Sequence, residues 1–323
     1  MTGIQIVKPD IEFITPKYFG EWAERGMELM EECGRVSHKS EGRIEPGSAA
    51  PFLNRIAVRM GHESILEHFG YTVCFIGSRS MSHQLVRHRL AAITQESQRY
   101  CDYSSDKKAP GETLKVIMPP SILGTKDLWG KTIEERALRT SDGLVVVRDD
   151  GEEIPLRKHL LALGEARDLP AESLEGAYVW CEDQIRAYKA YLRERARGIP
   201  SEDARYHLPN SCKTEVYTTY NFRMWRHVLG NPVSGRALND HAQWEIKMIT
   251  MKALEMFREH LPDLFKDLGT KMTFEEDEWR IMADFLNDIS VESLDEALVA
   301  YDMPKTARRL FKEKLAKMGV IGN

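Results

Sequence analysis

QLVRHRLAAITQESQRY, residues 84–100, sets Arg87, His88, Arg89 and Arg99 together with Ser97 and three glutamines in one short stretch. Just upstream, residues 69–76 alternate, with Phe69, Tyr71, Val73 and Phe75 on one side. That period of two predicts a half-buried strand. Ser80 reads as the N-cap of a following helix that runs to about Leu90. Gln84 and Arg87 are three apart and share a face of that helix's end. Residues 94–99 are polar and read as irregular backbone with available N–H groups, which with Ser97 and Arg99 would cradle a phosphate. The competing reading is a basic helix end facing solvent.

Outward from this stretch the chain reads as mixed α and β. Residues 11–14 suggest a short strand, and 17–33 a helix with Trp22, Leu29 and Met30 turned inward. Residues 37–48 read as a loop and 50–60 as a helix ended by Gly61. Residues 114–118 form a second strand, stopped by Pro119 and Pro120. The firmest helix spans about 174–197, because Tyr178, Cys181, Ile185, Tyr188 and Leu192 make one apolar stripe. Gly198 and Pro200 end it, and Ser201 reads as the cap of a short helix that Pro209 stops. Residues 216–220 are strand-like, Asn221 opens a helix through about Leu229, and a long helix covers roughly 240–260. Trp244, Met248 and Met251 on that helix read as core. Residues 121–172, charged and with a hairpin signal after Val145, read as a surface insertion. Residues 263–323 read as a helical C-terminal extension with a capping box at Thr273 and Glu276, which leaves 1–262 as the catalytic domain.

Bulk properties narrow the function. A chain of 323 residues that is 42% hydrophobic can bury a sizeable core. A net charge of -5 argues against a dedicated nucleic-acid binder, although Arg87, Arg89, Arg99 and Tyr100 resemble a base-stacking surface. Five scattered cysteines without a CxxC suit free thiols in a reducing cytoplasm. No apolar run reaches the ~18 residues of a membrane span. His62 and His68 lack a metal-ligand spacing, so no metal is expected.

The motifs carry a more specific resemblance. Arg87-His88-Arg89, seven residues, then Ser97 is similar to the RHRx7S signature of the flavin-dependent thymidylate synthases. Gly61-His62-Glu63-Ser64 with Glu67-His68 resembles a run upstream of that signature in the family. Arg205 in an Ala-Arg-x-x-Leu-Pro segment, Asn221-Phe222-Arg223, and the run His241 to Ile246 resemble later family segments in the same order. The stretch between Gly230 and His241 is longer than is usual there, and Gln95 stands where the family often has Glu.

The resemblance implies an α+β fold, a central mixed or antiparallel sheet flanked by long helices, assembled as a homotetramer with shared active sites. It implies reductive methylation of dUMP to dTMP, with methylenetetrahydrofolate as carbon donor and NADPH-reduced FAD as hydride source. No glycine-rich dinucleotide fingerprint follows a strand, so FAD would be held by side chains. Carried over residue by residue, FAD falls to Ser64, Arg87, His88, Arg89, Asn221, Arg223 and His227. The substrate dUMP falls to Gln84, Arg87, Gln95, Ser97, Gln98, Arg99 and Arg205. His62 is the position against which folate would stack. The catalytic arginine facing uracil corresponds to Arg236, five residues before His241, with Arg226 as the alternative.

Overall fold

The computed structural model describes residues 2–14, 19–105, 107–109, 113–123, 136–140, 143–147, 151–167, 169–230 and 242–268. Arg236, His241, and Thr273 and Glu276 of the C-terminal extension lie outside them. The chain divides into two compact units. One comprises Met1–Ile14, Thr72–Thr219 and His241–Lys252; the other comprises Thr15–Tyr71, Tyr220–Asp240 and Ala253–Asn323.

The strands are β1 (Gly3–Ile6), β2 (Asp10–Phe13), β3 (Gly70–Ser78), β4 (Ala91–Gln95), β5 (Thr113–Val116), β6 (Arg136–Thr140), β7 (Gly143–Val147), β8 (Glu153–Pro155) and β9 (Lys213–Asn221). The helices are α1 (Phe19–Arg35), α2 (Ala49–Leu53), α3 (Arg79–Leu85), α4 (Leu156–Arg167), α5 (Ala171–Ala196), α6 (Ser201–Ala204), α7 (Phe222–Leu229), α8 (Trp244–His260) and α9 (Pro262–Phe265). The expected mixture of helix and sheet is therefore present. The described residues hold two sheets, ordered β5-β1-β6-β7-β8 and β2-β3-β9-β4.

In the first unit β1 runs parallel to β5 and antiparallel to β6. Its Ile4 and Ile6 are buried with Leu114 and Val116 of β5 and Leu144 and Val146 of β7. The apolar stripe of α5 joins this core, with Cys181, Ile185 and Tyr188 at 1% exposure or less. Burying an Ile-sized side chain contributes about 1.5–3 kcal/mol, so this stripe is what fixes α5 in place. Gly198, at φ +84°, ends the helix as its lack of a Cβ allows. The segment read as a surface insertion supplies β6, β7, β8 and α4, and its Leu144, Val146, Leu156 and Leu160 are buried in the same core.

The second unit is built on aromatic packing. Trp22 of α1 lies 4.3 Å from Phe69 and 4.9 Å from Tyr71, centroid to centroid. Trp225 and Phe257 are 5.1 Å apart, and Phe257 stacks on Phe265 at 4.7 Å. A Cβ on Gly26 would stand 2.0 Å from the Phe69 ring, so α1 passes Phe69 too closely for any side chain there. Met30 is buried as expected, but Leu29 is 42% exposed, one position off the inward stripe. The helix read over 50–60 is α2 continued as a π-helix over Asn54–Arg59, and Gly61 turns the chain at φ +76°.

Candidate functional site

Ser78, not Ser80, caps α3: its Oγ accepts from the Met81 N–H at 3.0 Å. The cap is selected by a residue far away in sequence. Glu245 at the start of α8 accepts from the Ser78 N–H at 2.5 Å and from the Ser78 hydroxyl at 2.6 Å. Glu245 is buried, and burial pushes its carboxyl up from the ordinary range. Its own N–H donates to Gln243 Oε1 at 3.2 Å. A Cβ on Gly77 would lie 2.8 Å from Glu245 Oε1, so the absence of a side chain there makes room for the clamp.

The helix then stops at Leu85, a full turn earlier than expected, and Arg87-His88-Arg89 forms a turn. The Arg87 and His88 N–H groups donate to the Gln84 and Leu85 carbonyls. Arg87 and Arg89 are exposed, whereas His88 is buried with Nδ1 3.1 Å from the Leu85 carbonyl oxygen. Leu90, at φ +70° and 83% exposed, reverses the chain into β4.

The backbone after the turn corrects a second expectation. Residues 91–95 are a strand, and the Glu96 N–H donates to the Glu215 carbonyl. The N–H groups of Tyr100 and Cys101 donate to the Ser97 carbonyl, and that of Arg99 to Ser97 Oγ. These N–H groups are engaged and are not open to an anion.

Two of the assigned side chains bond the same residue. Arg99 Nε donates to Glu202 Oε2 at 2.5 Å, and Arg205 Nε donates to the Glu202 carbonyl at 3.0 Å. The two arginines assigned to the dUMP phosphate thus meet at one residue. Ser201 makes no capping bond at the start of α6; Pro200 holds the N-cap position. Gln95 donates to Thr214 Oγ1 at 3.3 Å, and Gln98 is buried.

The loop after Arg99 is fastened to α5. Asp102 takes two bonds from Arg195, at 3.2 and 2.7 Å, and one from the Tyr191 hydroxyl at 3.1 Å. The Arg195 guanidinium holds the Asp102 carboxyl well below the usual carboxylate range. Tyr188 donates to the Tyr103 carbonyl at 2.7 Å, and the Tyr103 hydroxyl donates to Glu96 at 3.0 Å. Nothing in the sequence pattern marks Asp102, Arg195 or Glu202; only the fold brings them to the segment.

The remaining assigned residues lie in the second unit. His62 and Ser64 are exposed, at the entry to and within a 3-10 helix over Glu63–His68. Asn221 caps α7 as expected, its Oδ1 accepting from the Met224 N–H at 2.8 Å. Arg223 and His227, four apart, share an exposed face of α7, and Arg223 pairs with Glu67. Arg226 is different. It is buried, bonded to both Asp267 oxygens at 2.9 and 2.7 Å, to Glu63 at 3.2 Å and to the Leu264 carbonyl. The alternative to Arg236 is thus a structural lock, its guanidinium committed to Asp267, Glu63 and the Leu264 carbonyl.

Burial works against a thiolate role for three of the five thiols. Burial pushes Cys74 up to about 11 and Cys181 and Cys212 up to about 12, the opposite of what an attacking thiolate needs. All five cysteines are free. Among the described residues there is no grouping suited to a metal and no helix long and apolar enough to cross a membrane.

Residues 21–263 match the family described as thymidylate synthase complementing protein. A flavin-dependent thymidylate synthase of Mycobacterium sp. (strain JLS) is 30% identical over 264 residues, 81% of this chain and 85% of that one. One of Geobacter sulfurreducens is 29% identical over 228 residues, 70% of this chain and 72% of that one. In fold, the chain is similar to the UMP/dUMP methylase PolB from Streptomyces cacaoi bound with 5-Br dUMP, with a TM-score of 0.50. That likeness covers 81% of this chain and 96% of that one at 20% identity. With the match spanning most of its length and relatives alike over most of theirs, the chain belongs to the flavin-dependent thymidylate synthase family.

Proposed function

We propose that this chain methylates dUMP to dTMP as a flavin-dependent enzyme, and that Arg99 and Arg205 hold the dUMP phosphate. The convergence of those two arginines on Glu202 supports this most strongly. A monophosphate dianion calls for paired guanidinium donors, which bind it bidentately. Ser97, whose Oγ already accepts from the Arg99 N–H, has its hydroxyl proton left to donate to the same phosphate.

The donor chemistry suits FAD as well. Arg87 and Arg89 are exposed cations in a turn, and Arg223 and His227 face solvent from α7. With Ser64, His88 and the Asn221 amide N–H groups they are the residues we assign to FAD. When bound, FAD supplies the hydride, with NADPH as its reductant and methylenetetrahydrofolate as the carbon donor. Gln84, Gln95 and Gln98 orient the pyrimidine and its sugar. To Arg236 we assign the stabilisation of charge that develops at uracil N3 and its carbonyl. His62, exposed before Ser64, is the surface on which the folate stacks. We assign the enzyme to the cytoplasm as a homotetramer whose sites are shared between copies.

The test follows tritium from [5-3H]dUMP. Release to water should require FAD, a reductant and methylenetetrahydrofolate together. Release that proceeds at the same rate without flavin would defeat the proposal.

A further inference from the structure

Arg99 does not wait for its phosphate with an open guanidinium. Its Nε is bonded to Glu202 Oε2, while the backbone carbonyl of the same Glu202 takes the bond from Arg205. The Tyr100 ring lies 5.2 Å from the Arg99 guanidinium carbon and further restricts where it can go. Resting on the assignment of Arg99 and Arg205 to the dUMP phosphate, we propose that Glu202 is a competing anion built into the phosphate site, which sets how tightly that site holds a nucleotide. Its carboxylate occupies Arg99 until a phosphate monoester dianion displaces it.

The argument is one of competing anions. The Arg99 and Glu202 side chains are 55% and 44% exposed. An exposed pair of this kind is weak, equivalent to at most about a five-fold bias in an equilibrium. Tethered three residues from Arg205, the Glu202 carboxylate nevertheless sits at high effective concentration. A singly charged anion from solution offers Arg99 no more charge than Glu202 already does. A phosphate monoester brings close to two charges at neutral pH and three acceptor oxygens, enough to engage Arg99, Arg205 and Ser97 together. Glu202 therefore slightly weakens dUMP, because the carboxylate must be displaced, and the cost is the same for every anion that takes Arg99.

The sign of one substitution separates this from a positioning role. Binding is measured by calorimetry on the FAD-loaded enzyme for dUMP, for its 5′-phosphate monomethyl ester, which is a monoanion, and for deoxyuridine. Glu202→Gln should tighten dUMP by up to about five-fold. It should tighten the methyl ester by no more than dUMP and leave deoxyuridine unchanged. Glu202→Ala should move the two nucleotides in the same direction. Unchanged or weaker dUMP binding in Glu202→Gln overturns the proposal. Arg99→Ala separates the two layers. If it weakens dUMP but not deoxyuridine, the phosphate assignment stands whatever Glu202→Gln does. If it leaves dUMP unaffected, the assignment fails and the role of Glu202 fails with it.

Discussion

Removing Asp267 should destabilise the enzyme through Arg226, whose guanidinium is committed to the fold. The Arg226 side chain is 7% exposed and that of Asp267 is 17% exposed. Two of the Arg226 nitrogens bond the two Asp267 oxygens, at 2.9 and 2.7 Å. Deleting one partner of a buried ion pair costs about 3–5 kcal/mol, since the other charge is left without compensation. Glu63 at 3.2 Å and the Leu264 carbonyl stay behind to take part of the load, so Asp267→Ala should fall near the lower end, about 3 kcal/mol. Asp267→Asn keeps one acceptor and should cost roughly 1–3 kcal/mol. Urea denaturation of the FAD-loaded enzyme reads both. Combining Asp267→Ala with Arg226→Met removes the stranded charge and should recover part of the loss. A loss below about 1 kcal/mol in Asp267→Ala would refute the reasoning, because the guanidinium would then be compensated elsewhere. The consequence is practical. The sequence invites truncation of the extension from about Asp267, but a truncation that spares the fold must retain Asp267 and Leu268.

Further predictions concern the catalytic segment. Glu245→Ala leaves the buried Ser78 N–H without an acceptor, costing about 1–3 kcal/mol, and should raise the dUMP KM by loosening α3; Glu245→Gln should restore much of the KM. The Glu245 carboxyl is raised above its ordinary 4.5. The folded state therefore keeps a proton that the unfolded state has lost, and this group's contribution falls as pH rises through that window; Glu245→Gln should flatten it. Asp102 has the opposite sign: lowered well below 3.8 by Arg195, its contribution is fully present above 3.8 and is lost progressively as pH falls from there towards its depressed folded value, so Asp102→Asn should cost most near neutral pH and steadily less on acidification below 3.8, by denaturation at each pH. Ser97→Ala should weaken dUMP by about 10- to 150-fold, the loss of one hydrogen bond to a charged group, yet still turn over; a covalent dUMP adduct on Ser97 detected by mass spectrometry would contradict this.

What the sequence made legible is what local rules govern. The α5 stripe, the Asn221 cap on α7 and the turn at Gly61 each depend on residues within a few positions of one another, and all three are found where the pattern places them. Long-range partners settle what local rules leave open. Ser78 and Ser80 both suit an N-cap, and Glu245, remote in the chain, selects Ser78. The five residues of β4 have no strong alternation; their pairing with β9 makes them a strand. Arg226 has the composition of a surface charge until Glu63 and Asp267 surround it. In the site, the motif spacing pointed to Arg99, Arg205 and Ser97. Glu202 was not visible, because a glutamate in a polar helix carries no signal until it is seen holding both arginines.

The central claim is that dTMP forms here through flavin chemistry with no protein nucleophile. The direct measurement is dTMP production from dUMP by purified enzyme, with FAD, NADPH and methylenetetrahydrofolate omitted one at a time and with all five cysteines replaced by serine or alanine. The account predicts dTMP only in the complete mixture, with NADPH consumed in step with it, and continued turnover in any cysteine-free enzyme that retains FAD. Undiminished dTMP formation without flavin, or a folded, FAD-loaded cysteine-free enzyme that makes none, would contradict it.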